Sequence, residues 1–315
     1  MKIFSGSTNK RLTEKLYNHL EEILDHDQYL FQDLTIEKFA DGEILPKFNK
    51  SIRNQDVYFV QSTLGSDSIM EVLMVADASK RAGCKSFNLI APYMGYSRQD
   101  KTDHIRSSIG SKVIADILEK VGISTLLTID LHSSSIQGFY NVPVIHLNGN
   151  IIFIDYLKKS NLDNLCILSP DQGAVKRAID FCKSFPTATF AMMNKKRIKP
   201  NEVHSMELVG DVRGKNVIIV DDIADTLGTI KKAAKLVMSH GALSVRAITT
   251  HGLLSGSALN NLEESELTEL IVSDSVEGVL DLDHLKLKVI SSAPLISKTL
   301  IALNHKKSVH EINYV

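Results

Sequence analysis

The sequence predicts an α/β protein with two similar domains, each a mostly parallel sheet flanked by helices. Strand-like apolar runs alternate with helical patterns along the whole chain. A chain of 315 residues is longer than one core usually supports, so two domains of about 150 residues each are expected. A strand–helix–strand pattern also occurs once in each half, with similar spacing, which favours two related domains over one.

The first copy of this repeat begins with a strand at 57–60 and continues through a helical pattern to Gly83. The second copy begins with a strand at 217–220 and continues through a helical pattern to Gly241. A polar, glycine-containing link at 147–150 separates the two copies. We therefore predict domains over residues 1–148 and 149–315, and we expect the extreme C-terminus to pack back on the first domain.

The bulk composition is that of a soluble globular protein, with 43% apolar and 23% charged residues. No apolar run approaches the roughly 18 to 20 residues that a membrane span needs, and the N-terminus lacks a signal-peptide core. The three cysteines show no metal or disulfide spacing. A net charge of −1 argues against nucleic-acid binding by general electrostatics. We expect a cytoplasmic protein with neither a membrane nor a nucleic-acid partner.

The most informative segment runs from Val217 to Thr229. Its apolar start predicts a strand buried on both faces of a parallel sheet, and Asp221 and Asp222 stand where that strand would end. A Thr/Gly loop and a helical pattern over 230–239 follow. Loop amides and a helix N-terminus attract phosphate, and paired carboxylates accept hydrogen bonds from ribose hydroxyls. The segment therefore predicts a sugar-phosphate site; the alternative is a strand–turn–helix whose Asp pair only caps and solvates.

The two copies of the repeat differ where this chemistry would lie. The second copy has Asp221 and Asp222, whereas the first has Gln61 and Ser62 at the corresponding positions. We therefore expect only the C-terminal domain to bind the sugar phosphate.

Three other segments follow strand-like runs and carry polar residues. Arg98 is able to stack on an adenine or grip a phosphate, although an exposed Arg-Gln-Asp corner is more often only solvated. His132 follows a strand at 125–130 and is either a metal ligand or a structural histidine. Asp171 follows a strand at 165–168 and suits magnesium, which seeks carboxylate and phosphate oxygens.

Residues 217–229 resemble the phosphoribosyl-pyrophosphate loop that phosphoribosyltransferases share with ribose-phosphate pyrophosphokinases. Only the pyrophosphokinases, of the class I type, are similar along nearly the whole chain. Five further segments carry that resemblance, in order: 39–43 (Phe-Ala-Asp-Gly-Glu), 98–100 (Arg-Gln-Asp), 130–132 (Asp-Leu-His), 169–171 (Ser-Pro-Asp) and 210–212 (Gly-Asp-Val). The resemblance implies phosphoribosyltransferase-type domains and transfer of the β,γ-diphosphoryl group of ATP to ribose 5-phosphate, with release of AMP.

The resemblance also implies a role for each matching residue. The ribose 5-phosphate site would comprise Asp221, Asp222, Asp225, Thr226, Leu227, Gly228 and Thr229. Mg²⁺ would be held by His132 and Asp171. The ATP site would comprise Phe39, Asp41, Gly42, Glu43, Arg98 and Gln99.

The basic residues Lys195 and Arg197 match the catalytic pair of the family. They lie in a polar stretch, 194–206, that predicts a flexible loop able to close over the site. In the family the loop that contains Phe39 reaches a neighbouring subunit, so a homo-oligomer, a hexamer in that family, is expected.

Two other functions remain as alternatives. A phosphoribosyltransferase would use the same sugar-phosphate loop, but it predicts no dependence on ATP and leaves Arg98 and His132 without a purpose. A catalytically silent homologue would only bind and regulate a partner. Such a protein should have lost one or more of four residues, and this chain retains them all: Lys195, Arg197, Asp221 and His132.

Overall fold

The computed structural model describes residues 1–24, 30–102, 105–160, 162–196 and 205–313. Contacts between Cα atoms divide the chain into two compact units. The first unit contains Met1–Asn148, Ser275–Glu277 and the segment that starts at Ser292, and the second contains Gly149–Asp274 and Gly278–Ser291. Each unit is built on a predominantly parallel sheet with helices, which confirms the predicted α/β class. None of the helices in the described ranges is long and apolar enough to cross a membrane.

The first unit has a parallel sheet of six strands and a separate two-stranded hairpin. Its elements are β1 (Lys2–Ser5), α1 (Lys10–Glu21), β2 (Leu30–Phe31), β3 (Leu34–Lys38), β4 (Ile44–Phe48), β5 (Asp56–Val60), α2 (Gly65–Arg81), β6 (Ser86–Ala91), α3 (Gly110–Val121), β7 (Thr125–Ile129) and β8 (Val144–Leu147). The strand order in the sheet is β2-β1-β5-β6-β7-β8, and β3 pairs with β4 in the antiparallel hairpin. The chain therefore reverses its direction of travel across the sheet between β1 and β5.

The second unit has a sheet of seven strands. Its elements are α4 (Asn150–Lys159), β9 (Leu165–Ser169), α5 (Val175–Cys182), β10 (Thr189–Lys196), β11 (Ser205–Val209), β12 (Asn216–Ala224), α6 (Gly228–Ser239), β13 (Ser244–Gly252), α7 (Ala258–Glu263), β14 (Glu269–Ser273) and β15 (Leu287–Ile290). The strand order is β11-β10-β9-β12-β13-β14-β15, and among the described residues only the edge strand β11 is antiparallel to its neighbour. The last helix, α8 (Ala293–Asn304), belongs to the first unit and packs against α1.

Strand β12 is buried on both faces, as its run of apolar residues predicts. Val217 and Ile219 belong to the core cluster that includes the apolar side of α6. Ile218 and Val220 point to the other face, into a cluster with residues of α4 and α5. All four are at most 1% exposed, so this central strand anchors both layers of helices.

The prediction that the strand ends at the two aspartates is wrong. β12 continues through Asp221 and Asp222 to Ala224, because β13 remains paired with it as far as Gly252. The acidic pair is therefore part of a rigid sheet rather than the start of a loop.

The loop predicted over 194–206 is also shorter than expected. Residues 192–196 of β10 pair with 205–209 of β11 in an antiparallel ladder. Among the described residues, β11 is the edge strand of the sheet, a position where a polar sequence is common. Only residues 197–204 lie between the two strands, and they are outside the described residues.

In the first unit the loops after β5 and β6 approach each other closely. The Thr63 hydroxyl accepts a hydrogen bond from the Gly95 amide at 2.7 Å, and the Thr63 amide donates to the Tyr93 carbonyl at 3.0 Å. A Cβ atom at Gly95 would lie 2.1 Å from the Thr63 carbonyl oxygen. Glycine is therefore required at position 95, because any side chain there would prevent the close approach of the two loops.

We predict that Gly95→Ala destabilises the protein by about 1–3 kcal/mol, because the added methyl group overpacks against backbone that has no room to move. Gly138→Ala is the matched control, since a Cβ atom at Gly138 meets nothing within 4 Å, and its effect should stay within about 0.5 kcal/mol. Urea unfolding followed by circular dichroism measures both. Equal stability of the two variants would contradict the close approach at Gly95.

Candidate functional site

The second unit has a topological switch point between β9 and β12. These strands are parallel neighbours, but the chain leaves β9 towards β10 and later returns to β12. In open α/β sheets, the loops at the carboxyl ends of two such strands diverge and leave a crevice that binds ligands. Asp171 follows β9, and Asp221 and Asp222 lie in the last part of β12. The acidic residues singled out in the sequence thus flank this crevice from both sides.

The carboxylates at this crevice influence each other. The Asp221 side chain accepts a hydrogen bond from the Asp222 amide at 3.0 Å. Burial raises the pKa of the Asp221 carboxyl well above its usual value, and the negative charges of Asp222 and Asp171 raise it further. Such a concentration of acidic oxygens favours hydroxyl donors or a cation as its partner.

Asp171 is held in place by the turn that leads into α5. One oxygen of its carboxylate accepts hydrogen bonds from the amides of Gly173 at 3.0 Å and Ala174 at 3.2 Å. The Ser169 hydroxyl donates to the Asp171 carbonyl at 2.7 Å. The Asp171 carboxylate therefore holds together the turn that precedes α5, whose N-cap residue is Ala174. Within the described ranges, no three His, Cys, Asp or Glu side chains form a ready-made metal cluster.

The loop over 225–229 presents backbone amides at the start of α6. Leu227 has a left-handed backbone with φ of 64°, and its side chain is buried in the core. No side chain of this N-cap residue caps the helix, so the first amides of α6 remain directed at the space before it. The Asp225 carboxylate accepts a hydrogen bond from the Ser255 hydroxyl. A left-handed residue followed directly by a helix N-terminus can form a concave site for an anion.

At the corresponding position of the first unit, between β1 and β5, hydrogen bonds join the loops that follow the two strands. The Asn9 side chain accepts a hydrogen bond from the Ser62 amide at 2.5 Å, and Gln61 accepts one from the Thr8 amide at 3.0 Å. The carboxylate of Glu71, which is 6% exposed, accepts the Ser7 amide at 2.7 Å. Residues Gln61 and Ser62 therefore serve a buried polar network where the second unit has its aspartates.

Residues 39–43 form the tip of the β3–β4 hairpin. The Phe39 amide donates to the Glu43 carbonyl at 2.8 Å, and the Glu43 amide donates to the Asp41 carboxylate at 3.1 Å. Gly42 has φ of 95°, a conformation that glycine adopts without strain. The Phe39 side chain is 49% exposed. The turn thus holds an aromatic ring and two acids at the surface of the first unit.

Arg98 and Gln99 lie in the loop that follows β6. The Gln99 carbonyl accepts hydrogen bonds from the Ser111 amide at 3.2 Å and the Ser111 hydroxyl at 3.0 Å. Its side chain lies against Gly110, where a Cβ atom would be 2.5 Å from the amide oxygen. Gln99 is therefore tied to the start of α3, while Arg98 is exposed.

His132 is an exposed residue of the loop after β7. The loop is oriented by Asp130, which has a left-handed φ of 41°, and by His146, whose Nε2 atom accepts the Leu131 amide at 3.0 Å. His132 belongs to the first unit and Asp171 to the second. The backbone of Lys195 lies on β10, opposite Met206, and Arg197 lies outside the described residues.

The sequence interpretation missed three residues that brace these loops, namely His146, Ser255 and Asn261. The Asn261 side chain donates to the Thr226 carbonyl at 2.9 Å. Ser255 lies between β13 and α7, and its partner Asp225 is 30 residues away. Asn261 and His146 carry no local signal, because their partners are 35 and 15 residues away.

Comparison with known proteins shows the family to which the chain is similar. The sequence pattern of the N-terminal domain of ribose phosphate pyrophosphokinase matches residues 1–122, and that of the phosphoribosyl synthetase-associated domain matches residues 169–313. The chain is 41% identical to a ribose-phosphate pyrophosphokinase of Porphyromonas gingivalis over 314 residues, which covers 99% of this chain and 97% of the relative. It is 40% identical to the one of Helicobacter hepaticus, covering 99% and 98% of the two chains.

A solved structure extends the comparison to the fold. The crystal structure of phosphoribosylpyrophosphate synthetase from Mycobacterium smegmatis matches with a TM-score of 0.87 and 31% identity, covering 97% of this chain and 99% of that one. Sequence and structure agree over nearly the full length of both proteins. The chain therefore belongs to the ribose-phosphate pyrophosphokinase family of enzymes.

Proposed function

We propose that the protein transfers the β,γ-diphosphoryl group of ATP to the 1-hydroxyl of ribose 5-phosphate, producing 5-phosphoribosyl 1-pyrophosphate and AMP for nucleotide biosynthesis. One observation carries this proposal: an acidic pair and an anion-binding loop lie on the same strand–loop–helix of the second unit, in a chain of this family. Paired carboxylates and a phosphate site are the two features that a ribose phosphate requires.

The second unit supplies the ribose 5-phosphate site. The amides over 227–229 and the hydroxyls of Thr226 and Thr229 bind the 5-phosphate. Asp221 and Asp222 bind the 2- and 3-hydroxyls of the ribose, directly or through a metal ion, and so orient the 1-hydroxyl for attack. Orientation of this kind is a large part of catalysis in diphosphoryl transfer, because the reaction needs no covalent intermediate with the protein and depends on positioning and charge stabilisation.

The acidic crevice also suits Mg²⁺. This ion is usually held by one or two carboxylates together with substrate phosphate oxygens and water, so a site without three clustered protein ligands fits it. Asp171 supplies a carboxylate, His132 is an exposed imidazole on the first unit, and a cation would relieve the repulsion around Asp221. When bound with ATP, the ion neutralises charge on the phosphate oxygens.

The first unit supplies the ATP contacts. Phe39 stacks on the adenine, and Asp41 and Glu43, held by the turn at Gly42, accept hydrogen bonds from its amino group. Arg98 and Gln99 bind the nucleotide from the loop after β6. The exposed hairpin tip suits a neighbouring subunit's ATP site, so a homo-oligomer is part of the proposal.

Lys195 and Arg197 neutralise negative charge on the diphosphoryl group while it is transferred. A positive charge placed where the transition state gathers negative charge accelerates the chemical step more than it tightens substrate binding.

Incubation of the pure protein with ATP, Mg²⁺ and ribose 5-phosphate, followed by an assay for AMP, tests the reaction. AMP should appear only when all three are present. A phosphoribosyltransferase would release no AMP. A silent homologue would bind ribose 5-phosphate, as calorimetry would show, without turning it over.

We predict that Lys195→Ala lowers kcat by about 100- to 1000-fold, the range seen when one charge-stabilising group is removed, and changes the KM for ATP far less. The control is Lys158→Ala on the exposed side of α4, which should retain wild-type kinetics. An unchanged kcat for Lys195→Ala would remove this residue from the catalytic group.

Because the pKa of Asp221 is raised, the folded protein favours the protonated form of this carboxyl. The ionised carboxylate therefore destabilises the fold once the pH exceeds the pKa of the unfolded state, about 3.9. Asp221→Asn should therefore raise Tm of the ligand-free protein by about 2–4 °C at pH 7, and the difference should disappear as the pH falls to about 3.9. The same variant should show a higher KM for ribose 5-phosphate.

Thermal unfolding at the two pH values and steady-state kinetics measure these effects. Asp163→Asn, which changes an exposed carboxylate of the same unit, should alter neither Tm nor KM. A lower Tm for Asp221→Asn at pH 7 would show that the carboxylate stabilises the fold instead.

A further inference from the structure

We propose that Asn261 is a positioning residue that fixes the peptide between Thr226 and Leu227, so that the Leu227 amide faces the 5-phosphate of the substrate. The inference deepens the proposed function and rests on it, since the phosphate is that of ribose 5-phosphate. Asn261 itself lies on α7 and acts through the loop.

The side-chain amide of Asn261 is held by partners at both ends. Its Nδ2 atom donates to the Thr226 carbonyl at 2.9 Å and to the Ser257 hydroxyl at 3.2 Å. Its Oδ1 atom accepts from Nζ of Lys231 at 3.2 Å. A carbonyl needs a donor and an ammonium needs an acceptor, so these partners allow one orientation of the amide. Glu264 pairs with the same Lys231 ammonium at 2.6 Å and braces the arrangement.

The orientation of the Thr226 carbonyl determines that of the next amide. In a planar trans peptide the carbonyl and the following N–H point in opposite directions. Because the Thr226 carbonyl points to Asn261, the Leu227 N–H points away from α7. None of the hydrogen bonds of the described residues uses this N–H as a donor.

The conformation of Leu227 makes such a clamp necessary. A left-handed backbone costs a residue with a Cβ atom about 1–2 kcal/mol, and Leu227 has φ of 64°. Its side chain, 4% exposed, is anchored in the core, but that anchor does not determine which way the preceding peptide faces. Without Asn261, the peptide between Thr226 and Leu227 is free to rotate. The Thr226 carbonyl oxygen, the negative end of its dipole, can then face the phosphate.

Loss of the Asn261 hydrogen bond should affect the binding of ribose 5-phosphate and not that of ATP. Losing the clamp removes one donor to the phosphate and brings an acceptor closer, so the affinity for ribose 5-phosphate falls. The ATP contacts proposed on the first unit are untouched, and the chemical step at saturating ribose 5-phosphate should change little.

Three variants test this role. Asn261→Asp retains the shape of the side chain and the contact with Lys231, but it replaces the Nδ2 donor to the Thr226 carbonyl with an acceptor. Asn261→Leu removes both the donor to Thr226 and the acceptor for Lys231. Asn261→Gln retains an amide and should recover part of the effect. The control is Asn260→Leu, an exposed neighbour on α7 for which the described residues provide no side-chain hydrogen bond.

For Asn261→Asp and Asn261→Leu, we expect the KM for ribose 5-phosphate and its Kd from calorimetry to rise about 3- to 10-fold, as for the loss of one hydrogen bond. The KM for ATP and kcat should stay within about 2-fold of wild type. The KM and Kd for ribose 5-phosphate of Asn261→Gln should lie between those of the other two Asn261 variants and wild type. Those of Asn260→Leu should equal the wild-type values.

The results separate this inference from the proposed function. Wild-type protein that releases AMP, with an Asn261→Asp variant of unchanged Kd for ribose 5-phosphate, overturns the role of Asn261 alone. Equal losses in both KM values and kcat also overturn it, since they indicate a general structural defect. Wild-type protein that does not bind ribose 5-phosphate overturns the proposed function together with the inference.

Discussion

The parallel pairing of β9 with β12 is the contact on which the candidate site depends. These strands are separated by two strands and a helix along the chain, yet residues 165–168 pair directly with 216–219. The pairing brings the turn containing Asp171 to the same sheet edge as Asp221 and Asp222. It is stabilised because β12 is apolar on both faces and loses contact with water only when layers of helices cover it.

The same arrangement brings several carboxylates close together at the sheet edge. Burial and two neighbouring carboxylates raise the pKa of Asp221, so part of the stability gained by the core is offset at the sheet edge. A left-handed residue follows in the loop before α6 and requires support from α7. Backbone strain and closely spaced carboxylates at one edge of a sheet are typical of functional sites.

The two units show how one strand–helix–strand plan supports different uses. In the second unit the switch point is lined with acids and exposed amides. In the first, the side-chain oxygens of Asn9, Gln61 and Glu71 accept hydrogen bonds from backbone amides of the loops that follow β1 and β5. Because buried polar groups need partners, Gln61 and Ser62 are hydrogen-bonded to Thr8 and Asn9 in the loop after β1. The residues that differ between the two copies therefore belong to a hydrogen-bond network of the first unit.

The sequence alone determined the α/β class, the acidic pair and the Thr/Gly loop of the second unit, since alternating apolar periods and short motifs are local properties of the chain. It was wrong about the end of β12 and about the loop over 194–206, because pairing with β13 and β11 extends strands beyond their apolar residues. Only the tertiary structure revealed Asn261 and His146 as supports for two loops. Hydrogen bonds between distant segments leave no periodic pattern, so the folded backbone decides which polar side chains hold the site in place.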